Sequence, residues 1–293
     1  MSNAIDQVLR PALAPQYQVS METLVYGQGD VFVGGVPTPK DLLLDLYQPV
    51  DTPPGLRPVV MAIHGGGFFR ESRANPGIVA IATALAARGY VVVSVEYRMA
   101  FDNPVPSARV RDLVALISPL DLSQFAAMLK IPEEQYEAAA ASAMDDALTA
   151  LGWLSDQAQT RLLDMSHLTV LGASAGAVTT LYTVYNANNF GLNVPSAAAV
   201  IDLWGGFMFS QDASTVEAGE PPLFIVHGTN DTTFPIAAAE AVVARAQAVG
   251  VYYEFYPLAG YGHGFASIDL MTVQVDGQTL FERLVRFLDK VLF

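Results

Sequence analysis

The sequence contains no cysteine, which excludes a disulfide framework, a thiolate metal site and a cysteine nucleophile. It is also poor in positive charge, since 15 Lys and Arg stand against 29 Asp and Glu and give a net charge of −14. Such a chain repels phosphate backbones and anionic membrane surfaces, so we expect neither a nucleic-acid partner nor a membrane partner. No apolar run reaches the ~18 residues that a membrane-spanning helix needs.

Apolar residues make up 52% of the 293 residues, and charged residues 15%. This composition is sufficient for a sizeable core and argues against disorder. Residues 1–17 lack the basic and apolar regions of a signal peptide. We therefore expect a cytoplasmic protein, with a secreted form whose leader has been removed as the alternative. The oligomeric state is left open.

From about Leu42 onward, short apolar runs alternate with helical segments. Residues 90–96 are the clearest buried strand, because most of them are β-branched. The alternation predicts an α/β fold with a mostly parallel central sheet and helices on both faces. The predicted strands cover residues 42–47, 58–63, 90–96, 167–171, 198–203, 223–227 and 251–256, and the predicted helices 77–88, 145–153, 236–248 and 279–292, with one more after Ser174.

One segment, residues 109–143, is longer than a usual connection between two elements. It contains weak helical patterns at 112–117 and 122–129 and an alanine-rich helical pattern at 133–141. The segment follows the carboxyl end of a strand, the side on which open α/β sheets bind ligands. We therefore predict a single domain over residues 1–293 in which 109–143 form a helical insertion that caps the site. An insertion that only packs on the body is the alternative.

A candidate nucleophile, Ser174, lies in Gly172-Ala173-Ser174-Ala175-Gly176, between a predicted strand and a predicted helix. Small residues are needed there because the turn is strained and the neighbouring chain passes close to it. The five-residue pattern alone is a weak signal in a chain with 23 glycines. The strand–turn–helix context is what predicts a nucleophilic serine.

A glycine run, His64-Gly65-Gly66-Gly67, follows the strand at 58–63. A tetrahedral intermediate of acyl transfer carries an oxyanion, and each backbone N–H aimed at it is worth about 3–4 kcal/mol. Side chains would block that approach, so glycine suits the position. We predict that Gly66, Gly67 and Ala175 donate the N–H groups of an oxyanion hole. His64 is expected to be structural, and a glycine-rich turn without a role is the alternative.

The candidate base is found by comparing the four histidines of the chain. His167 precedes the serine strand and His227 lies within a predicted core strand, so both are expected to be structural. His263 lies in a glycine-rich loop after the last predicted strand, where functional residues are more common. If the chain is a hydrolase, its base is therefore predicted to be His263.

The third catalytic residue must orient the imidazole and stabilise its charged form. Asp231 follows directly after the strand at 223–227 and completes the chain order Ser, Asp, His. Asp212 and Glu217 are alternatives, although both precede that strand. Asp202 lies in or near a predicted strand and is expected to be structural. We predict that Asp231 has this role.

Aromatic residues near these motifs are candidates for the substrate pocket. Phe68 and Trp204 are our two predictions. Four other apolar residues near the motifs could also line the pocket, namely Phe69, Phe207, Met208 and Tyr261. For each of the six, an ordinary core role is the alternative.

Together these residues resemble α/β-hydrolase esterases of the hormone-sensitive-lipase type, over most of the chain from about Leu42. Residues 97–108 (Tyr-Arg-Met-Ala-Phe-Asp-Asn-Pro-Val-Pro-Ser-Ala) are similar to the family segment Tyr-Arg-Leu-Ala-Pro-Glu-x-Pro-x-Pro-Ala-Ala. Residues 44–49, 146–148 and Trp153 are also similar to the family. The resemblance implies an α/β-hydrolase fold, a Ser174–Asp231–His263 triad and ester hydrolysis through an acyl-enzyme.

The chain also departs from the family pattern. Phe101 replaces the usual proline, and Ala173 stands where many members carry an acidic residue. Residues 109–143 have no counterpart in a compact member, and 205–220 are too short for the helical cap that many relatives place there. We therefore expect a differently built pocket, and the family's substrates are not carried over.

The sequence thus predicts a serine carboxylesterase acting on a small-molecule ester with a small to medium acyl or aryl group. It contains no ligand cluster for a metal or an organic cofactor, so none is expected. A serine amidase or peptidase, including an aryl-formamidase-like enzyme, is the first alternative because the same triad serves both reactions. A non-catalytic binding protein on this fold is disfavoured because every catalytic position is filled.

Overall fold

The alternating pattern forms one eight-stranded sheet in the computed structural model, which describes residues 7–110, 123–186, 195–208 and 210–293. The order across the sheet is β1-β2-β4-β3-β5-β6-β7-β8. Strands β1 and β2 form an antiparallel hairpin, β2 is antiparallel to β4, and all other neighbours in the sheet are parallel. The strands are β1 (Val19–Val33), β2 (Val36–Pro49), β3 (Arg57–Ile63), β4 (Val91–Val95), β5 (Leu163–Ala173), β6 (Ala199–Leu203), β7 (Leu223–Gly228) and β8 (Tyr253–Leu258), with a separate small ladder of β9 (Gln274–Val275) and β10 (Gln278–Thr279).

Helices cover both faces of the sheet, which confirms the predicted layer arrangement. The apolar residues of α1 and α6 belong to the core cluster on one face, and those of α3, α4 and α5 belong to the cluster on the other. Among the described residues, no helix combines the length and hydropathy that a membrane span requires. The helices are α1 (Pro76–Ala86), α2 (Ser123–Leu129), α3 (Glu133–Arg161), α4 (Ala175–Tyr185), α5 (Ala237–Val249) and α6 (Leu280–Leu292).

Local sequence signals explain where several elements begin. Helix α1 starts after Asn75, whose Oδ1 accepts the N–H of Gly77 at 2.9 Å, and a proline follows in its first turn. Helix α6 starts with a capping box, in which Thr279 and Glu282 each accept the other's backbone N–H. The central strands β3 and β4 are almost entirely apolar, as expected for strands buried on both faces.

The parallel strands bring the motifs together at one edge of the sheet. Strands β3, β5, β6, β7 and β8 run in the same direction, so their carboxyl ends lie along one edge of the sheet. The loops that leave this edge contain His64, Ser174, Trp204, Asp231 and His263. Residues far apart in the chain thereby become neighbours.

The sequence pattern gave no prediction for β1 or for the first half of β2. Strand β1 lies at the edge of the sheet and pairs only with β2, so many of its side chains face solvent. Three of its apolar residues, Met21, Val25 and Val33, are exposed by half or more. Such a strand lacks the continuous apolar run that marks the central strands.

The described part of the insertion is helical except for residues 130–132, which connect two helices. The predicted helices at 133–141 and 145–153 are parts of one 29-residue helix, α3. Helix α2 occupies most of the predicted segment 122–129. The weak helical pattern at 112–117 lies outside the described residues. A capping role for 109–143 stays a prediction.

A buried arginine joins three parts of the fold. The side chain of Arg98 is 1% exposed and lies 2.7 Å (Nη2 to Oδ1) from Asp146 and 3.1 Å (Nη2 to Oδ2) from Asp145, both on α3. Its Nη1 donates to the carbonyl oxygens of Asp30 at 2.9 Å and Val105 at 2.8 Å. The guanidinium thus connects the segment after β4 to the hairpin and to α3.

We expect Asp146→Ala to lower the free energy of unfolding by about 3–5 kcal/mol, because Arg98 would lose its main buried carboxylate partner. Urea unfolding followed by circular dichroism measures the change. Asp156→Ala is the matched control, since Asp156 is an exposed aspartate on the same helix. Its expected effect is within about 0.5 kcal/mol. Equal effects of the two substitutions would contradict the structural role of the Arg98 network.

Candidate active site

Ser174 occupies a strained turn between β5 and α4, with φ 53° and ψ −119°. A Cβ on Gly172 would lie 2.1 Å from the carbonyl oxygen of Gly176, and one on Gly176 would lie 2.2 Å from that of Ile63. Only glycine fits at these two positions. The strain is consistent with a serine held out from the chain at the end of a strand.

Three side chains predicted from separate motifs form a hydrogen-bonded row. The Nε2 atom of His263 lies 2.8 Å from the Oγ atom of Ser174. Its Nδ1 atom lies 2.6 Å from Oδ2 of Asp231. The Asp231 side chain is fully buried, whereas that of His263 is 17% exposed. These distances suit proton transfer between Ser174 and an imidazole that Asp231 orients.

Each oxygen of the Asp231 carboxylate has its own hydrogen-bond partners. Its Oδ1 atom accepts the backbone N–H groups of Thr233 and Phe234, each at 2.8 Å. Its Oδ2 atom is thereby left facing His263. Of the two alternatives for this role, Glu217 is exposed, and the side chain of Asp212 lies outside the described residues.

The glycine run after β3 forms a tight turn beside Ser174. Gly66 and Gly67 have φ values of +89° and +61°, in the left-handed region. A Cβ on Gly66 would lie 1.8 Å from the carbonyl oxygen of Arg70, and one on Gly65 would lie 2.8 Å from that of Ala173. Side chains are therefore excluded for two separate reasons, backbone conformation and close approach.

The Gly65 carbonyl is fixed by two buried side chains. The Tyr97 hydroxyl donates to it at 2.6 Å, and Nδ1 of His64 lies 3.0 Å from it. Burial lowers the pKa of His64 to about 4, so this imidazole is neutral and donates from Nδ1. Its ring also stacks on Tyr97 with a centroid separation of 4.2 Å. His64 is therefore a structural residue of the turn.

The next two carbonyls of the run are also bonded. The Gly66 oxygen accepts the N–H groups of Phe69 at 3.2 Å and Arg70 at 3.1 Å. The Gly67 oxygen accepts the hydroxyl of Tyr136, on α3, at 2.9 Å. In a planar trans peptide the C=O and the following N–H point in opposite directions. Fixing each carbonyl therefore also fixes the N–H of the next residue.

A cleft of about 900 Å³ is lined by Ser174, His263 and the glycine run after β3. Trp204, predicted as a pocket residue, is one of its lining residues and packs edge-on against Phe265 at 4.7 Å between ring centroids. Met128 and Leu129 of α2 also line it. The described part of the insertion thus contributes to the wall of the cleft.

Phe68, the other predicted pocket residue, is not among the residues that line this cleft. It has φ +62° and is 3% exposed. Its ring packs against Tyr97 at 6.3 Å and Tyr136 at 6.2 Å between centroids. The neighbouring Phe69 lines the cleft instead. Phe68 has a left-handed backbone, and the periodicity of the sequence predicts neither this conformation nor which of the two rings faces the cleft.

A buried aspartate shapes the turn that carries Trp204. Asp202 is fully buried, and its Oδ1 accepts the N–H of Gly205 at 2.8 Å. A Cβ on Gly205 would lie 2.4 Å from Cβ of Ala177 and 3.3 Å from the carbonyl oxygen of Ser174. This turn therefore packs directly on the nucleophile turn, and burial raises the pKa of Asp202 to about 7.

Sequence reasoning missed three contributors to the site. Tyr97 had a signal, because it lies in a segment that resembles the esterase family. Tyr136 had none, because its hydroxyl reaches Gly67 only through the packing of α3. Asp202 was expected to be structural, and its contact with Gly205 adds that it shapes one wall of the site.

Comparison with known proteins shows that the chain is similar to esterases. A model of the family described as BD-FAE matches residues 44–135. Esterase LipC of Mycobacterium tuberculosis (strain ATCC 25618 / H37Rv) is 27% identical over 246 residues, 78% of this chain and 58% of that protein. Tuliposide A-converting enzyme b1 of Tulipa gesneriana is 39% identical over 80 residues, 24% of this chain and 21% of that enzyme. The chain spans less than two thirds of the length of either relative.

The fold has close parallels among solved structures. The propionate-bound esterase 2 of the planctomycete Thermogutta terrifontis has a TM-score of 0.64 and 21% identity, with 92% of each chain covered. The α/β-hydrolase fold expected from the motifs is confirmed. The resemblance to esterases of the hormone-sensitive-lipase type is also confirmed.

Because Asp202 is buried, we expect the free energy of unfolding to depend on pH. Its pKa is about 7 in the folded protein, against an ordinary value of 3.8. Between these values the folded state keeps a proton that the unfolded chain has lost, so stability falls as pH rises. Asp202→Asn removes this titration while its amide oxygen can still accept the Gly205 N–H.

We expect wild type to lose about 3 kcal/mol more unfolding free energy than Asp202→Asn between about pH 5 and about pH 8. Urea unfolding of both proteins at the two pH values measures the difference. Asp156→Asn, which changes an exposed aspartate, is the control and should follow wild type. Parallel pH dependence of wild type and Asp202→Asn would contradict the assignment.

Proposed function

We propose that this chain is a serine carboxylesterase with Ser174 as nucleophile, His263 as base and Asp231 as the carboxylate that orients His263. The observation that carries the proposal is the pair of contacts of His263. They are 2.8 Å from Nε2 to the Ser174 hydroxyl and 2.6 Å from Nδ1 to the Asp231 carboxylate. Nucleophile, base and orienting group within hydrogen-bond reach are what acyl transfer through an acyl-enzyme requires.

Acylation starts when the Oγ atom of Ser174 bonds to the carbonyl carbon of the ester. The hydroxyl proton moves to Nε2 of His263, and the former carbonyl oxygen becomes an oxyanion. When the bond to the alcohol oxygen breaks, that oxygen takes the proton from Nε2 and leaves as the free alcohol. The acyl group is then bound to Ser174 as an ester.

Deacylation repeats the sequence with water. His263 takes a proton from the attacking water, whose oxygen bonds to the acyl carbon. The proton returns to Oγ of Ser174 as the acyl bond breaks, and a carboxylic acid is released. Throughout, Asp231 holds the imidazole by Nδ1 and stabilises its charged form without being protonated.

The N–H groups of Gly66, Gly67 and Ala175 are the proposed oxyanion donors. The carbonyl oxygens of Gly65 and Gly66 accept hydrogen bonds, which fix the peptide groups that carry the N–H groups of Gly66 and Gly67 and so support this role. Donors that are already oriented need not rearrange when charge develops. Each is worth about 3–4 kcal/mol of transition-state stabilisation.

The proposed substrates are esters with small to medium acyl groups or aryl groups. A cleft of about 900 Å³ with Phe69, Trp204 and Phe265 in its walls supports an apolar group of this size. The structural relative from Thermogutta terrifontis has been captured with propionate and with butyrate, which also supports short acyl chains. The proposed partner is therefore a small-molecule ester.

We expect hydrolysis of p-nitrophenyl esters, tested from acetate to decanoate, with turnover falling as the acyl chain lengthens. Ser174→Ala should lower kcat by at least about a thousandfold without changing the melting temperature, because the covalent step is lost. Release of p-nitrophenol measures the rates. The same esterase 2 has been phosphorylated by paraoxon. Labelling of this chain at Ser174 by paraoxon, read by peptide mass spectrometry, is therefore a second measurement.

Ser166→Ala is the matched control, because Ser166 is an exposed serine whose hydroxyl contacts only the nearby Asp164 and His167. It should retain wild-type turnover. Normal activity in folded Ser174→Ala would overturn the proposed nucleophile. Turnover of amides or formamides without turnover of esters would favour the amidase alternative, and ester binding without any turnover would favour a binding protein.

We expect Gly66→Ala to lower kcat by at least about a hundredfold, because the added Cβ displaces the turn that presents the oxyanion donors. Gly35→Ala is the matched control, since Gly35 also has a positive φ, +83°, but has nothing within 4 Å of an added Cβ. It should cost about 1–2 kcal/mol of stability and leave kcat unchanged. Steady-state kinetics and thermal unfolding separate the two effects, and normal kcat in Gly66→Ala would exclude the turn from catalysis.

A further inference from the structure

A second histidine lies against the carboxylate of the triad. His227 is near the end of β7, and its side chain is fully buried. Its Nε2 atom lies 2.8 Å from the carbonyl oxygen of Phe234 and 3.4 Å from Oδ2 of Asp231. Oδ2 is the same carboxylate oxygen that contacts His263. The proposed reaction uses no proton from His227, yet this imidazole touches the group that orients the base.

The surroundings of His227 determine which nitrogen carries its proton. Its Nε2 faces two oxygens, whereas its Nδ1 is buried without a hydrogen-bond partner among the residues described. A proton on Nε2 satisfies the carbonyl of Phe234, and a proton on Nδ1 would leave both groups unsatisfied. Burial also lowers the pKa of His227, so the ring is neutral at physiological pH with its N–H on Nε2.

We propose that His227 is a positioning residue of the catalytic site, whose Nε2–H anchors the loop of Asp231 and weakens the negative potential that this carboxylate exerts on His263. The inference rests on the proposed function, because it assigns a catalytic role to His263. The Nε2–H of His227 donates to the carbonyl oxygen of Phe234, and the N–H of Phe234 donates to Oδ1 of Asp231. His227 therefore lies against Oδ2 directly and holds Oδ1 through the loop that contains Phe234.

The sign of the electrostatic effect follows from the contacts. The positive end of the N–H dipole lies beside Oδ2 of Asp231, so it offsets part of the charge that stabilises protonated His263. Removing the N–H should therefore let His263 protonate at higher pH. Two further charged groups interact with these imidazoles, Glu71 with His263 and Glu240 with His227. Neither is changed in the test.

The test compares His227→Phe, which removes the N–H, with His227→Gln, whose side-chain amide N–H can take the place of Nε2–H. The four histidines of the chain allow each ring to be followed by ¹³C NMR in histidine-labelled protein, assigned with single substitutions. We expect the titration midpoint of His263 to rise by about half a pH unit in His227→Phe and to return to the wild-type value in His227→Gln.

Kinetics give the second readout. The acid limb of the kcat/KM profile should move by the same amount in His227→Phe, with kcat lowered about tenfold and KM within about twofold of wild type. An unchanged titration midpoint and acid limb in His227→Phe, with only a lower melting temperature, would overturn the proposal. So would a His227→Gln protein that behaves like His227→Phe.

The NMR titration needs no turnover, so it separates this proposal from the proposed function. If no ester is hydrolysed but the His263 midpoint shifts as expected, the contact is established and the esterase assignment fails. If ester hydrolysis depends on Ser174 but the midpoint is unaffected by His227→Phe, the esterase assignment stands and the role of His227 is refuted. Should His227→Phe fail to fold, a titration midpoint in His227→Asn equal to that of wild type would overturn the proposal, because the shorter amide does not reach Asp231.

Discussion

The site depends on how closely three strand-end turns pack against one another. The turn after β3 touches the turn after β5, since a Cβ on Gly65 would lie 2.8 Å from the oxygen of Ala173. The turn after β6 touches the start of α4, since a Cβ on Gly205 would lie 2.4 Å from Cβ of Ala177. Glycine is required at these contacts because any side chain would separate the turns. The same close approach places the glycine run after β3 directly against the turn of Ser174.

The turn after β3 is held by side chains that do not take part in the proposed chemistry. Tyr97 and His64 fix the carbonyl of Gly65, and Tyr136 fixes that of Gly67. Arg98, the residue after Tyr97, is bonded to Asp146 on α3, the helix that also carries Tyr136. The turn of Gly65, Gly66 and Gly67 and the long helix α3 are therefore parts of one network. Supporting contacts of this kind keep catalytic groups within the small tolerance that reaction geometry allows.

This network also explains two parts of the sequence that resemble the esterase family. Residues 97–108 and Asp146 are far apart in the chain, and the resemblance alone does not say why both are present. The structure gives the reason, because a buried guanidinium requires carboxylate partners and Asp146 provides one. The insertion adds a feature of this chain, since Met128, Leu129 and Tyr136 place it beside the cleft and the glycine turn after β3.

Much of the fold and most of the candidate site were predictable from sequence. Buried parallel strands have continuous apolar runs, so the central sheet was clear, whereas the edge strand β1 has one neighbour and many exposed residues. The order Ser174, Asp231, His263 predicted a triad because strand-end loops meet at one edge of the sheet. Phe69 rather than Phe68 lines the cleft, and the left-handed backbone at Phe68 is not specified by any pattern in the sequence.

The sequence by itself determined the layer architecture, the glycine-flanked turn of Ser174 and the residue types at the candidate catalytic positions. These depend on local periodicity, on glycine at strained turns and on chain order, and all three are properties of short segments. Only the tertiary structure decided that Tyr136 reaches Gly67, that Asp202 shapes the wall beside Ser174 and that His227 lies against Asp231. Such contacts depend on how whole elements pack, and a difference of a few ångströms in that packing makes or removes a hydrogen bond.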